Sequence, residues 1–100
     1  MAVDAIGARL LFYERRLFDD GAIMETKIWR VPKPGPPTAR GLKYSLFHGY
    51  PGRRLVGYDH EREKGDHRHL DDREPPYTFV SVERLVADFL SDSRGIRGTL

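Results

Sequence analysis

"SVERLVADFL", residues 81–90, is the stretch that decides the fold, because it has the strongest helical pattern in the chain. The hydroxyl of Ser81 is suited to an N-cap, and Glu83 follows in the first turn, where a negative charge is favourable. The apolar side chains recur on one helical face. They are Val82, Leu85, Val86, Phe89 and Leu90. With Gly95 as its end, the pattern predicts a helix over residues 81–94 that packs its apolar face on the rest of the protein.

Upstream of this helix the sequence has the pattern of antiparallel strands joined by tight turns. Four segments are rich in aliphatic and aromatic residues and are bounded by turn signals. They span residues 8–18, 23–31, 41–50 and 53–59. The dipeptides Asp20-Gly21 and Pro51-Gly52 are hairpin turns, because glycine tolerates the positive φ that a tight turn needs. We therefore predict an α+β fold, an antiparallel β-meander of four to five strands with one C-terminal helix packed on the sheet.

The segments between these elements complete a single domain over residues 1–100, with its strands within 8–59. Residues 32–37 contain four prolines and make an exposed connector. Residues 59–76 form a charged, histidine-rich segment, and residues 75–80 are expected to add a short edge strand. A chain of 100 residues has room for one small core, so a homodimer or a bound partner would add stability.

The composition excludes several classes of protein. A hydrophobic content of 39% is too high for a disordered chain. The absence of cysteine excludes disulfides, thiolate metal sites and a cysteine nucleophile, and it fits a reducing compartment. No apolar run approaches the roughly 20 residues that a membrane span needs, and the N-terminus lacks a signal-peptide pattern. We therefore expect a cytoplasmic protein that contacts no membrane.

Positive charge is concentrated in the middle of the chain. Residues 26–58 contain seven basic residues and no acidic one, whereas residues 59–74 contain seven acidic residues against four basic ones. A cationic surface of this kind attracts nucleic acid, although solubilising charge on exposed strands gives the same pattern. The candidate nucleic-acid-binding residues are Lys27, Arg30, Lys43, Arg53, Arg54 and Arg62.

The segment "YDHEREKGDHRHL", residues 58–70, holds three of the four histidines. If its second half is extended, alternation puts His67 and His69 on one face, with Arg68 opposite. Two imidazoles suit the two proton transfers of metal-free RNA cleavage, and cations stabilise the phosphorane. In this interpretation the histidines are acid and base, Arg68 and Lys64 hold the phosphate, and Asp66 orients an imidazole. His48 ranks lower, and we expect it to be a packed, hydrogen-bonded core residue.

Two other interpretations of the segment stay open at this stage. A His-x-His pair on a strand presents two nitrogens to one metal ion, and Asp59, Asp66 or His60 would complete the shell. Alternatively, the segment is a solvated loop between a strand and the helix, in which His67 and His69 form hydrogen bonds with Asp71 or Asp72. The residues alone do not separate these interpretations from acid–base chemistry.

The order of motifs resembles the TumE-type toxins of toxin–antitoxin pairs, small proteins long of unknown function. The resemblance covers about residues 9–92 and is carried by "IWRVPKP", "YDHEREKGDHRH" and "PYTFVSVERLVADFL". The motif positions in this chain are Tyr58, Asp59, Arg62, Lys64, Gly65, Asp66, His67, Arg68 and His69. His60 departs from the motif, so the resemblance ranks it below His67 and His69 as a catalytic candidate. The resemblance implies a growth-inhibiting protein that is neutralised by a neighbouring antitoxin. RNA cleavage is the usual expectation for small cytosolic toxins.

Residues and resemblance together predict the toxin of a toxin–antitoxin pair, acting as a metal-independent endoribonuclease on cellular RNA without a cofactor. Its partners would be RNA and the cognate antitoxin. Two alternatives are kept. One is a non-enzymatic protein that binds nucleic acid or the antitoxin, and the other is a metal-dependent nuclease that uses His67 and His69.

Overall fold

A computed structural model describes residues 9–31, 41–61 and 65–98 of the chain. These residues form five strands and one helix. The elements are β1 (Arg9–Leu17), β2 (Ile23–Arg30), β3 (Leu42–Tyr50), β4 (Arg53–Glu61), β5 (Gly65–Leu70) and α1 (Val82–Arg97). The strands lie side by side in chain order, and each neighbouring pair is antiparallel. This arrangement confirms the predicted α+β meander with its C-terminal helix.

The helix begins where the sequence predicts and ends later. The Ser81 hydroxyl accepts a hydrogen bond from the backbone N–H of Arg84 at 3.1 Å, as expected of an N-cap. The helix continues through Gly95 to Arg97, and Gly98 ends it in the left-handed conformation (φ 87°), donating its N–H to the Arg94 carbonyl. Glycine near a C-terminus is a stop signal only where the backbone turns left-handed, and here the second glycine does so. No helix in the described part of the chain is long and apolar enough to cross a membrane.

The predicted edge strand over residues 75–80 is wrong, because this segment forms no strand. It runs from β5 to the helix, and the backbone N–H of Phe79 donates to the Asp66 carboxylate at 2.9 Å instead of to a neighbouring strand. The fifth strand of the meander is β5, within the histidine-rich segment.

The sheet has two different faces, because alternate residues of a strand point to opposite sides. One side, which we name the helix face, packs against α1 and holds the apolar core. Its buried side chains are Met24, Ile28, Tyr44, Leu46, Val56 and Tyr58, together with Leu85 and Phe89 of α1. The other side is named the open face. The cross-strand register assigns to it Glu25, Lys27, Trp29, Lys43, Ser45, Phe47, Gly57, Asp59, His67 and His69.

A polar network fixes the helix on the sheet. The guanidinium of Arg68 in β5 donates to both carboxylate oxygens of Asp92 in α1, at 3.0 and 2.8 Å, and the Tyr58 hydroxyl donates to the same carboxylate. Burial raises the pKa of Tyr58, and the bond to Asp92 raises it further, so the phenol stays protonated. A two-pronged bond to a partly buried carboxylate is among the stronger polar contacts in proteins. Arg68 therefore holds the helix in place.

His48 is fully buried on the helix face, as expected of a core residue, but neither ring nitrogen has a hydrogen-bond partner among the described residues. Burial lowers its pKa, because desolvation disfavours the charged ring, and the nearby Arg97 charge acts in the same direction. In the unfolded chain the His48 ring therefore binds a proton near pH 6.5, whereas in the folded protein it binds one only at lower pH. Stability is complete above that pH and falls as the pH is lowered through it.

We expect His48→Leu to remove this part of the acid sensitivity. The free energy of unfolding of the unchanged protein should fall between pH 7.5 and pH 5.5 by more than that of the variant, because only the unchanged protein has the His48 ring, which is uncharged when folded and becomes charged on unfolding. Urea titrations of both proteins at three pH values measure the difference. Parallel losses in the two proteins would contradict the role of His48.

Candidate active site on the open face

The two histidines of β5 lie together on the open face. His67 is opposite Asp59 in the ladder with β4, and His69 is opposite Gly57. Their rings are nearly parallel, with an interplanar angle of 12° and centroids 6.2 Å apart. Both residues are half-buried, so the surrounding residues hold the two rings while part of each residue stays accessible to solvent. The structure thus brings together the two residues that alternation predicted on one face.

Glu74 joins the histidine pair through a tight turn. The backbone of Leu70 exchanges two 2.9 Å hydrogen bonds with that of Arg73, so the chain reverses immediately after β5. The reversal carries Glu74 back beside His67, whose Nδ1 lies 2.7 Å from Oε2 of the carboxylate. This bond is the main reason why the pKa of Glu74 is lowered, and the charges of the histidines and of Arg54 contribute. An ionised Glu74 accepts from Nδ1–H, which fixes the tautomer and orientation of the ring.

Arg54 supplies positive charge at the same place. A Cβ added to Gly57 would lie 2.5 Å from Cδ of Arg54, so the arginine side chain runs across the open face over this glycine. Gly57 is the ladder partner of His69, and the charge of Arg54 contributes to the lowered pKa of Glu74, so the arginine lies near the histidine–glutamate cluster. The neighbouring Arg53 differs, since it pairs with Asp71 at 3.2 Å, in the groove between the sheet and the end of α1.

The structure does not bring Asp66 and Arg68 together with the two histidines. Both alternate with them along β5 and belong to the helix face, where Arg68 binds Asp92. Burial raises the pKa of Asp66, but hydrogen bonds from the Tyr44 hydroxyl (2.6 Å), the Phe79 N–H and the His60 ring outweigh it and lower the pKa. The carboxylate is therefore a half-buried acceptor that links β3, β4 and the 75–80 segment.

The remaining predicted site residues are also distributed over both faces of the sheet, and two of them lie outside the described residues. Lys27 and Lys43 lie on the open face, and the Lys43 ammonium stands 5.8 Å from the centroid of the Trp29 ring. Arg30 is exposed at the end of β2 opposite Leu42, which has the alternation of the helix face. Lys64 and Arg62 lie outside the described residues. His60, which ranked low, is buried and bonds to Asp66 through Nδ1 at 3.2 Å.

One group among the described residues has the donors of a metal site. His67, His69 and Glu74 each offer a ligand atom, and these atoms all lie within 4.8 Å of one another. Two imidazole nitrogens and one carboxylate oxygen match the ligand sets of Zn²⁺ and similar ions. The fit of the site to these ions is therefore one of ligand chemistry.

Sequence reasoning missed Glu74 as a partner of His67, and it named Arg54 only as a nucleic-acid-binding residue, without a place over the ladder partner of His69. A signal for Glu74 was available, because Asp71 and Asp72 after an extended segment are typical of a two-residue turn, which would bring residue 74 beside the strand. The position of Arg54 depends on an irregularity between β3 and β4 at His48 and Gly49, and no local pattern marks it.

Comparison with known proteins supplies the family. The family model described as "Toxin TumE" matches residues 5–97, nearly the whole chain. No curated protein and no solved structure matches. The matched range contains all five strands, the helix and the histidine–glutamate cluster. Toxins of this kind belong to toxin–antitoxin systems, and the match implies a cognate antitoxin. The chain therefore belongs to the TumE toxin family.

Proposed function

We propose that this toxin is an endoribonuclease that cleaves cellular RNA by acid–base catalysis with two histidines and without a metal ion. The observation that carries the proposal is the 2.7 Å contact between Nδ1 of His67 and the Glu74 carboxylate, with a second imidazole, His69, stacked beside it. A carboxylate-oriented imidazole is a recurrent general base, and a second one provides the general acid. We expect the reaction to take place in the cytoplasm, where cellular RNA is found.

The proposed reaction needs only groups that the cluster contains. One imidazole removes the proton of a ribose 2′-hydroxyl, and the 2′-oxygen attacks the adjacent phosphorus. The bond from phosphorus to the 5′-oxygen then breaks, and the other, protonated ring gives that oxygen a proton. The products are a 2′,3′-cyclic phosphate and a 5′-hydroxyl end. Arg54 would stabilise the charge of the phosphorane, and Glu74 the imidazolium that forms.

The limited access to the His67 ring sets a condition on RNA binding. The Nε2 atom of His67 is covered from solvent, while the Glu74 side chain is 54% exposed. A productive complex therefore requires a rotation of His67 or a displacement of the groups that cover it. Catalytic contacts of this kind often tighten only when the substrate is bound.

The open face also suggests the form of the substrate. Half-buried aromatic rings of Trp29 and Phe47 lie on it with the ammonium groups of Lys27 and Lys43. Flat sheets with aromatic rings and cations bind single-stranded RNA, because bases stack on the rings and phosphates pair with the charges. Trp29 is the only tryptophan, so quenching of its fluorescence by an RNA oligonucleotide would report binding directly.

The mechanism is tested with a labelled DNA oligonucleotide that carries a single ribonucleotide. Cleavage is expected only at that residue, and mass spectrometry should find a cyclic phosphate on the 5′ product, because the 2′-hydroxyl is the nucleophile. Equal cleavage of the all-DNA oligonucleotide, or a product ending in a 3′-hydroxyl, would contradict the mechanism. No cleavage under any metal condition would contradict the nuclease proposal.

Arg54→Gln should lower RNA cleavage by at least about tenfold, because it removes the positive charge of the side chain that lies over Gly57, the ladder partner of His69. Arg53→Gln is the matched control, since the adjacent arginine is exposed and pairs with Asp71 away from the open face. Cleavage rates of the two variants on one RNA, at fixed ionic strength, measure the effect. Similar rates for both variants would exclude the assigned position of Arg54 in the reaction.

A metal-dependent nuclease is the second candidate, and the ligand geometry of His67, His69 and Glu74 supports it. A chelator would abolish its activity and Zn²⁺ or Mn²⁺ would restore it, whereas acid–base cleavage would survive chelation. A non-enzymatic binder would retain RNA, lose affinity steeply with salt and cleave nothing.

A further inference from the structure

The first strand is an edge that the described part of the chain leaves uncovered. All nine residues of β1 are exposed, and in the sheet β1 pairs only with β2. Five of the seven large apolar side chains that are exposed in the described residues belong to it. They are Leu10 (52%), Leu11 (44%), Phe12 (47%), Tyr13 (48%) and Leu17 (69%). A long apolar edge strand is a liability in a free protein, because its outer N–H and C=O groups are ready to pair with another chain.

The opposite edge of the sheet is bordered differently. β5 has six half-buried residues, and the chain that follows it turns back alongside, with backbone bonds between Leu70 and Arg73 and a bond from the Phe79 N–H to Asp66. The contrast favours the β1 side of the described sheet for an added strand.

The charge of β1 indicates what kind of strand would pair with it. Arg9, Arg15 and Arg16 stand against one acidic residue, Glu14, so the strand has a net charge of +2 (three minus one). A second copy of the protein would bring the same excess of arginine to the same edge. Like charges in facing positions of a sheet are destabilising, whereas opposite charges are favourable. An acidic strand with apolar residues is therefore the better complement.

We propose that β1 is the docking edge for the antitoxin, which would add an extended, acidic and apolar segment as a sixth strand of the sheet. Backbone pairing would supply the affinity, and the exposed apolar side chains and arginines would supply the specificity, as in other cases of strand addition. The family implies an antitoxin partner, and the edge gives a physical place for it. The open face continues from β1 to the histidine pair, so a strand bound there would border the proposed RNA surface.

Hydrogen exchange tests the backbone part of the proposal. The purified protein is compared with its complex with the purified product of the neighbouring antitoxin gene. Amides of residues 9–17 are expected to exchange at least about tenfold more slowly in the complex, because those that faced water would then be bonded to the added strand. Protection elsewhere with no change in residues 9–17 would overturn the proposal.

The proposed charge complementarity between β1 and the antitoxin is tested by replacing two arginines of β1 with glutamate. Arg9→Glu combined with Arg15→Glu should weaken antitoxin binding by at least about tenfold, because two favourable cross-strand charge pairs become repulsive. Arg73→Glu combined with Arg94→Glu is the matched control, with the same change in charge at two exposed positions outside the sheet. Circular dichroism confirms that both variants are folded.

Equal losses of affinity in the two double variants would show a general charge effect and overturn the proposal. A dimer of the free protein with protected β1 amides would assign the edge to a second copy and overturn it as well. None of these measurements uses RNA, so their outcome is independent of the nuclease proposal.

Discussion

His67→Ala is expected to cleave RNA about 100-fold to 10,000-fold more slowly than the unchanged protein, which is the usual range for loss of a general acid or base. The ring is the one that Glu74 orients at 2.7 Å, and no other imidazole lies on the same face except His69 among the described residues. His69→Ala should give a loss of similar size, because each ring serves a different proton transfer. Single-turnover cleavage of a labelled RNA measures both variants, and growth after induction should recover in parallel.

Two conservative substitutions test whether the ionised carboxylate of Glu74 is needed for cleavage. Glu74→Gln keeps the shape of the side chain but removes the ionised acceptor, and cleavage should fall by at least about tenfold. Asp72→Asn makes the same chemical change two residues earlier on an exposed side chain and should leave the rate unchanged.

If His67→Ala cleaves RNA normally while it remains folded, the histidine pair has no catalytic role.

Phe89→Ala should lower the free energy of unfolding by about 3–5 kcal/mol, the usual cost of truncating a buried phenylalanine. The ring is 1% exposed and packs edge-on against Tyr58, with 6.2 Å between the centroids. A domain of this size has a total stability of about 5–15 kcal/mol, so the variant would lose a large part of it. Urea denaturation followed by circular dichroism measures the change.

Ile96→Ala is the control for this truncation, since it removes an apolar side chain from the same helix where 43% of it is exposed. Its cost should stay below about 1 kcal/mol, because most of the lost surface is already hydrated. Similar costs for the two substitutions would mean that α1 does not supply the core of the sheet.

Local patterns were sufficient for most of the fold. The helix and both glycine turns could be predicted, because capping, period and turn chemistry act within a few residues. β5 was left open, because its inward positions are charged: Asp66 and Arg68 face the helix side and show no apolar alternation. Their partners, Tyr44 and Asp92, are 22 and 24 residues away, and a local pattern cannot reveal such compensation.

The site was predictable only in part for the same reason. Alternation identified His67 and His69 as a pair, but nearness in sequence also drew Asp66 and Arg68 into the predicted set. Neighbours along a strand point to opposite faces, so the structure separates them. Glu74 and Arg54, which replace them beside the histidines, arrive through a turn and through an irregularity in strand pairing. Both depend on chain geometry more than on residue type.

The order of the meander has a consequence for synthesis of the toxin. Each strand pairs with the one made just before it, so the sheet can assemble as the nascent chain leaves the ribosome. The helix that covers the apolar side comes last, and until it is made Leu46 and Tyr58 lack the α1 side chains that bury them. The edge that we assign to the antitoxin belongs to the first hairpin translated. On that proposal, the docking edge would form before the helix is made.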